Sequence, residues 1–69
     1  MATMTITVNG ETLELKAGTD LAQLLQQMQL NADCVAVECN HLILERETFA
    51  TTTLYDGDTL EVVQFVGGG

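Results

Sequence analysis

Met4-Thr5-Ile6-Thr7-Val8-Asn9-Gly10-Glu11-Thr12-Leu13-Glu14-Leu15 is the stretch that decides the fold. Apolar residues alternate with polar ones on both sides of Asn9-Gly10, as in strands with one buried face. Asn-Gly between two such runs predicts a two-residue type I′ turn, because both residues tolerate positive φ. A loop of that length sets the register, placing Val8 opposite Glu11, Ile6 opposite Leu13 and Met4 opposite Leu15. The apolar pairs then share one face, so turn chemistry and hydropathy pattern agree.

Downstream of the hairpin the period changes. Asp20 is a good N-cap, and Gln23 three residues later completes a capping-box pattern. Leu21, Leu24, Leu25 and Met28 fall at i, i+3, i+4 and i+7, one stripe of a helix expected to run to about Leu30-Asn31. Alternation returns over Cys34–Cys39, with Val35, Val37 and Cys39 on one face. Asn40-His41 reads as a second tight turn into Leu42-Ile43-Leu44. Residues 45–49 read as a short turn or helical piece with Phe49 inward, and 53–55 as a brief strand. Asp56-Gly57-Asp58 is a further turn into a last strand from Thr59 to about Val66. There Leu60 and Val62 share one face, and Glu61, Val63 and Phe65 the other. The order predicts an α+β domain with one main helix on one sheet.

Sixty-nine residues suit a single domain, expected over 1–66, with Gly67-Gly68-Gly69 as a flexible tail. With 46% hydrophobic residues the composition is globular, and neither a membrane span nor a signal peptide is legible, so a cytoplasmic protein is expected. The formal net charge of −8 repels nucleic acid and anionic lipid and favours a partner with a basic docking surface.

Side-chain chemistry is sparse. The chain has no serine, which removes serine nucleophiles, and no glycine-rich phosphate loop with a lysine, so the domain is not expected to bind ATP itself. His41 stands at a turn without an evident partner. Asp56/Asp58 and Glu45/Glu47 suit solvated turns. Cys34 and Cys39, five residues apart in an extended segment, would lie on opposite faces about 16 Å apart, too far for a disulfide. With one histidine, no metal site is expected. The terminus differs. Three glycines, without side chains, can extend into a channel too narrow for other residues, reaching roughly 10 Å, and would deliver the Gly69 carboxylate. That group must be activated before it can act as an acyl donor, for example as an adenylate.

The chain resembles the ubiquitin-like β-grasp sulfur carriers, most closely the ThiS type of thiazole (thiamine) biosynthesis. The resemblance rests on Ile6-Thr7-Val8-Asn9-Gly10-Glu11, Gly18-Thr19-Asp20-Leu21 and Val35-Ala36-Val37-Glu38 with Asn40. It continues in Arg46 with Phe49, Asp56-Gly57-Asp58 and the terminal Gly68-Gly69. Departures are His41, where members often carry Gly, and Ile43-Leu44-Glu45-Arg46, where they often read Ile-Val-Pro-Arg. The resemblance implies a mixed sheet of four to five strands on one main helix, with first and last strands parallel at its centre. It implies a carrier rather than an enzyme. Gly69, presented by Gly67 and Gly68, would be adenylated with ATP on a separate E1-like (ThiF-type) enzyme. Sulfur from a cysteine desulfurase or other donor would then give a thiocarboxylate for a ThiG-type thiazole synthase. Val63, Phe65 and Val66, just before the tail, are the expected docking residues, and the chain alone is expected to be a monomer. Alternatives are the small subunit of molybdopterin synthase, a ubiquitin-like modifier joined through Gly69, and a plain interaction domain.

Overall fold

A computed structural model describes residues 2–65. Strands β1 (Thr3–Val8) and β2 (Glu11–Lys16) form the opening hairpin, with Met4↔Leu15, Ile6↔Leu13 and Val8↔Glu11 in register as the turn chemistry requires. Asn9 and Gly10 take φ of 51° and 83°, the left-handed pair of a type I′ turn.

Helix α1 (Leu21–Gln27) starts at Asp20, whose carboxylate accepts the Gln23 N–H at 2.8 Å. The Gln23 side chain accepts the Asp20 N–H at 3.1 Å in return. This reciprocal cap satisfies two otherwise orphaned donors and contributes about 1 kcal/mol. Leu21, Leu24 and Leu25 are buried. The helix is shorter than its apolar stripe predicts, closing at Gln27 with Met28 as the C-cap. Gln29 turns left-handed at φ 60°. The Leu30 N–H then reaches the Leu25 carbonyl (2.9 Å), and the Gln29 N–H reaches that of Gln26 (3.0 Å). This is a Schellman closure, with Leu30 packing back on the core as the motif prefers.

A 3-10 turn (Ala32–Cys34) precedes β3 (Val35–Cys39), so Cys34 stands before the strand rather than in it. Asn31 caps that turn through the Asp33 N–H, which takes residues 32–34 out of extended geometry. Strand β4 (Leu42–Leu44) returns antiparallel with Cys39↔Leu42 paired. Asn40 (φ 52°) and His41 (φ 70°) keep the type I′ shape in spite of the histidine. A second 3-10 segment, Arg46–Thr51, buries Phe49. Residues 53–55 form no strand: a single bridge, Thr53↔Asp20, ties them to the helix start. Leu54 is drawn into the core while Tyr55 stays outside, and the Asp58 carboxylate claims the Tyr55 N–H at 2.8 Å.

Strand β5 (Thr59–Gln64) completes a five-stranded sheet of order β2-β1-β5-β3-β4. It runs parallel to β1 (Thr7↔Thr59, Val8↔Leu60) and antiparallel to β3, at the centre, as the family resemblance implied. One face carries Met4, Ile6, Val8, Leu15, Val35, Val37, Leu60 and Val62 against α1, Phe49 and Leu54. The other face is left without a covering layer among the described residues.

Candidate functional site

The expected site residues fall into two groups. Val63 and Phe65 lie on the uncovered face, 58% and 61% exposed, at the downstream end of β5. Val66, Gly67, Gly68 and Gly69 lie outside the described residues. What the structure adds is how firmly the strand leading to them is held.

Two asparagines, one from each hairpin turn, grip β5 from opposite sides. Beyond Val8 strand β1 turns away, yet the Asn9 N–H still donates to the Leu60 carbonyl at 2.9 Å. The Asn9 side chain then takes the place of the missing strand. Its Oδ1 accepts the Val62 N–H at 2.7 Å and its Nδ2 donates to the Val62 carbonyl at 3.1 Å. A primary amide suits this purpose because its acceptor oxygen and donor nitrogen sit side by side on one carbon, as the C=O and N–H of a strand do for its neighbour. On the other side the Asn40 N–H donates to the Thr59 carbonyl (2.7 Å), and its Oδ1 accepts the Thr59 N–H (3.0 Å). The Asn40 Nδ2 is itself received by Asp58 at 3.1 Å. Hairpin periodicity predicts the turns but is silent on these long-range bonds. The signal that could have pointed to them is an asparagine at the first position of both turns.

The acidic turn before β5 serves the same end. The Asp56 Oδ1 accepts the Thr5 N–H at 2.7 Å, and Asp58 holds Tyr55 and Asn40 as described. At the far end the Phe65 N–H donates to the Cys34 carbonyl at 2.7 Å. The central strand is therefore bonded on at least one side from Thr59 to the last described residue.

The remaining candidate groups do not converge on a catalytic constellation. Both cysteines are free and half-buried. Burial, reinforced by the negative charge of Asp58, pushes the Cys39 thiol up, so it is held as a poor nucleophile. His41 projects from its turn. Among the described residues no three metal-ligating side chains come together, and no helix is long and apolar enough to cross a membrane. The larger concavity, about 440 Å³, is lined by Lys16, Thr19, Gln23, Gln26 and Gln27 and holds no carboxylate, thiol or imidazole. A smaller groove of about 170 Å³ lies on the uncovered sheet face beside Val63.

The described residues thus form a five-stranded sheet whose central strand is hydrogen-bonded along its length, with exposed apolar side chains at its downstream end. Comparison with known proteins places this fold in a family. The family model described as "ThiS family" matches residues 4–69. The sulfur carrier protein ThiS of Bacillus subtilis is 40% identical over 63 residues, covering 90% of this chain and 96% of that protein. A thiazole synthase of Magnetococcus marinus is 41% identical over 66 residues, which are 96% of this chain but only 20% of that protein. The crystal structure of the thiamine biosynthesis protein ThiS from Geobacter metallireducens superposes with a TM-score of 0.80 at 39% identity. That match covers 96% of this chain and 100% of the other. The opening hairpin, capped helix and centrally placed last strand are therefore those of a ubiquitin-like β-grasp, and the chain belongs to the ThiS family.

Proposed function

We propose that this chain is a sulfur carrier of thiazole (thiamine) biosynthesis whose working group is the Gly69 carboxylate. The observation that carries the reading is the family match over 4–69, which takes in both the gripped strand β5 and Gly67-Gly68-Gly69. The folded unit, 1–66, supplies recognition, and the tail, 67–69, supplies reach into a partner's active site.

The chemistry follows from the carboxylate. With a pKa of about 3.5 it is ionised and a poor electrophile. On a separate E1-like enzyme its oxygen attacks the α-phosphorus of ATP and pyrophosphate leaves, giving an acyl-adenylate. The terminal sulfur of a persulfide, formed from cysteine on a desulfurase, then attacks the adenylate carbonyl and displaces AMP to give an acyl disulfide. An external thiol reductant supplies the two electrons that cleave its S–S bond, leaving the thiocarboxylate and the thiol that bore the persulfide. Thiazole synthase takes that sulfur and the carrier is reloaded. The chain is in this scheme a co-substrate and not an enzyme, ATP belongs to its partner, and the cycle runs in the cytoplasm. Partnership with a thiazole synthase draws support from the relatives of that name that include a stretch similar to this chain. Val63, Phe65 and Val66 form the docking contact nearest the tail. The small subunit of molybdopterin synthase would use the same chemistry, but relatives named thiazole synthase and a thiamine biosynthesis protein favour the thiazole pathway.

Deleting Gly69 tests the reading. Sulfur loading is expected to vanish while stability changes by less than about 0.5 kcal/mol, since a terminal glycine contributes little packing. A deleted chain that still accepts sulfur would contradict it.

A further inference from the structure

The uncovered face of β5, β3 and β4 has a composition that the carrier chemistry does not require. Its groove is lined by Ala36, Val37, Glu38, Ile43, Glu61 and Val63. Ile43 is 77% exposed and lines this groove together with Val63, and Phe65, two residues further on, is 61% exposed on the same face. Within it Glu38 and Glu61 are directly paired across β3 and β5, and Glu38 is paired with Ile43 across β3 and β4. Like charges directly opposite one another destabilise a sheet. Neither carboxylate has an ion-pair partner among the described residues. Arg46 is bound to Asp33 at 2.7 Å, and Lys16 lies on β2, separated from β5 by β1.

We propose that this face docks on the adenylating enzyme by receiving one of its arginine or lysine side chains between Glu38 and Glu61, framed by apolar contacts to Ile43, Ala36 and Val63. The inference rests on the carrier reading above and names the chemistry of its partner. A cation completes what the sheet leaves unbalanced, and a guanidinium fork can donate to two carboxylates at once. An enzyme that binds the polyphosphate of ATP needs basic groups around its site, and a carrier of net charge −8 is steered towards them. Continuity points the same way, because Phe65 is on this face and immediately precedes the segment that enters the enzyme. A second copy of the chain is the poorer occupant. A two-fold contact over this groove would bring four carboxylates together with no cation between them.

The test is Glu38→Gln with Glu61→Gln, singly and together, in ATP–pyrophosphate exchange by the adenylating enzyme of the same pathway. Removing the repulsion should leave the melting temperature equal or higher, so a binding defect is not a folding defect. The double variant is expected to raise KM for the carrier about tenfold or more with kcat within about twofold, and to flatten the dependence of KM on salt. Ile43→Ser is expected to raise KM as well. Unchanged KM and salt dependence in the double variant would overturn the proposal. So would a dimer in sedimentation that Ile43→Ser disperses, which would assign the face to a second copy. Failure of the unaltered chain to support exchange or to take up sulfur would instead bring down the carrier reading itself.

Discussion

The two faces of β5 are built from the same strand yet serve different ends. On the inner face Leu60 is fully buried and Val62 nearly so, and both meet side chains from β1, β3 and the helix. On the outer face Glu61, Val63 and Phe65 meet solvent, although two of the three are as apolar as their inner neighbours. Alternation alone would make the outer residues polar, as Thr5 and Thr7 are on β1 and Glu14 is on β2. The difference teaches where on the sheet to look for recognition. The β1–β2 half presents threonines and charges outward, while the β5–β3–β4 half sets Ala36, Ile43, Val63 and Phe65 beside the Glu38/Glu61 pair.

That contrast can be broken by substitution. Leu60→Ala should have the largest effect, about 2–5 kcal/mol of lost stability in thermal or denaturant unfolding, because a fully buried leucine at the centre of the sheet leaves a cavity that cannot collapse easily. Asn9→Ala comes next, at about 1–3 kcal/mol, since it strips the Val62 N–H and carbonyl of their partly buried partner. Hydrogen exchange should then quicken at Val62 while the helix stays protected. His41→Gly sharpens the comparison between the two turns and should stabilise by about 0.5–1 kcal/mol, because His41 holds φ 70° with a side chain where Gly10 holds 83° without one. Val63→Ser with Phe65→Ser should have the smallest effect on stability, within about 0.5 kcal/mol, as both are exposed. The same pair should weaken binding to the adenylating enzyme measured by calorimetry. Unchanged affinity in that folded variant would remove these two residues from the docking face.

Much of the fold was legible in the sequence where local chemistry and long-range packing call for the same residues. Asn9-Gly10 specifies both turn and register, and the Asp20/Gln23 box marks the helix start without reference to anything distant. The end of the helix was not legible. Its apolar stripe continues to Met28 and Leu30, but Gln29, a residue with no strong preference for the left-handed region, makes the closure. Residues 53–55 carry a strand-like pattern, yet backbone donors there are taken by Thr19 and Asp58 and no ladder is left to form. The parallel pairing of β1 with β5 came from family resemblance, because periodicity assigns strands to faces and not to neighbours. For the same reason Val63 and Phe65 could be picked out from one strand's alternation, whereas Ala36, Glu38 and Ile43 could not be joined to them before the order of strands was known. The bonds from Asn9 and Asn40 to β5 were hidden likewise: a turn residue's side chain reads as serving its own turn until a third strand lies beside it.

The most direct test of the central claim is the intact mass of the protein purified from cells that make its pathway enzymes, followed by mapping of the C-terminal peptide. The account predicts a fraction in which one oxygen is replaced by sulfur, located at Gly69 and absent when the adenylating enzyme is removed. A protein that carries only the free acid, even after incubation with ATP, a cysteine desulfurase and the adenylating enzyme, would contradict it.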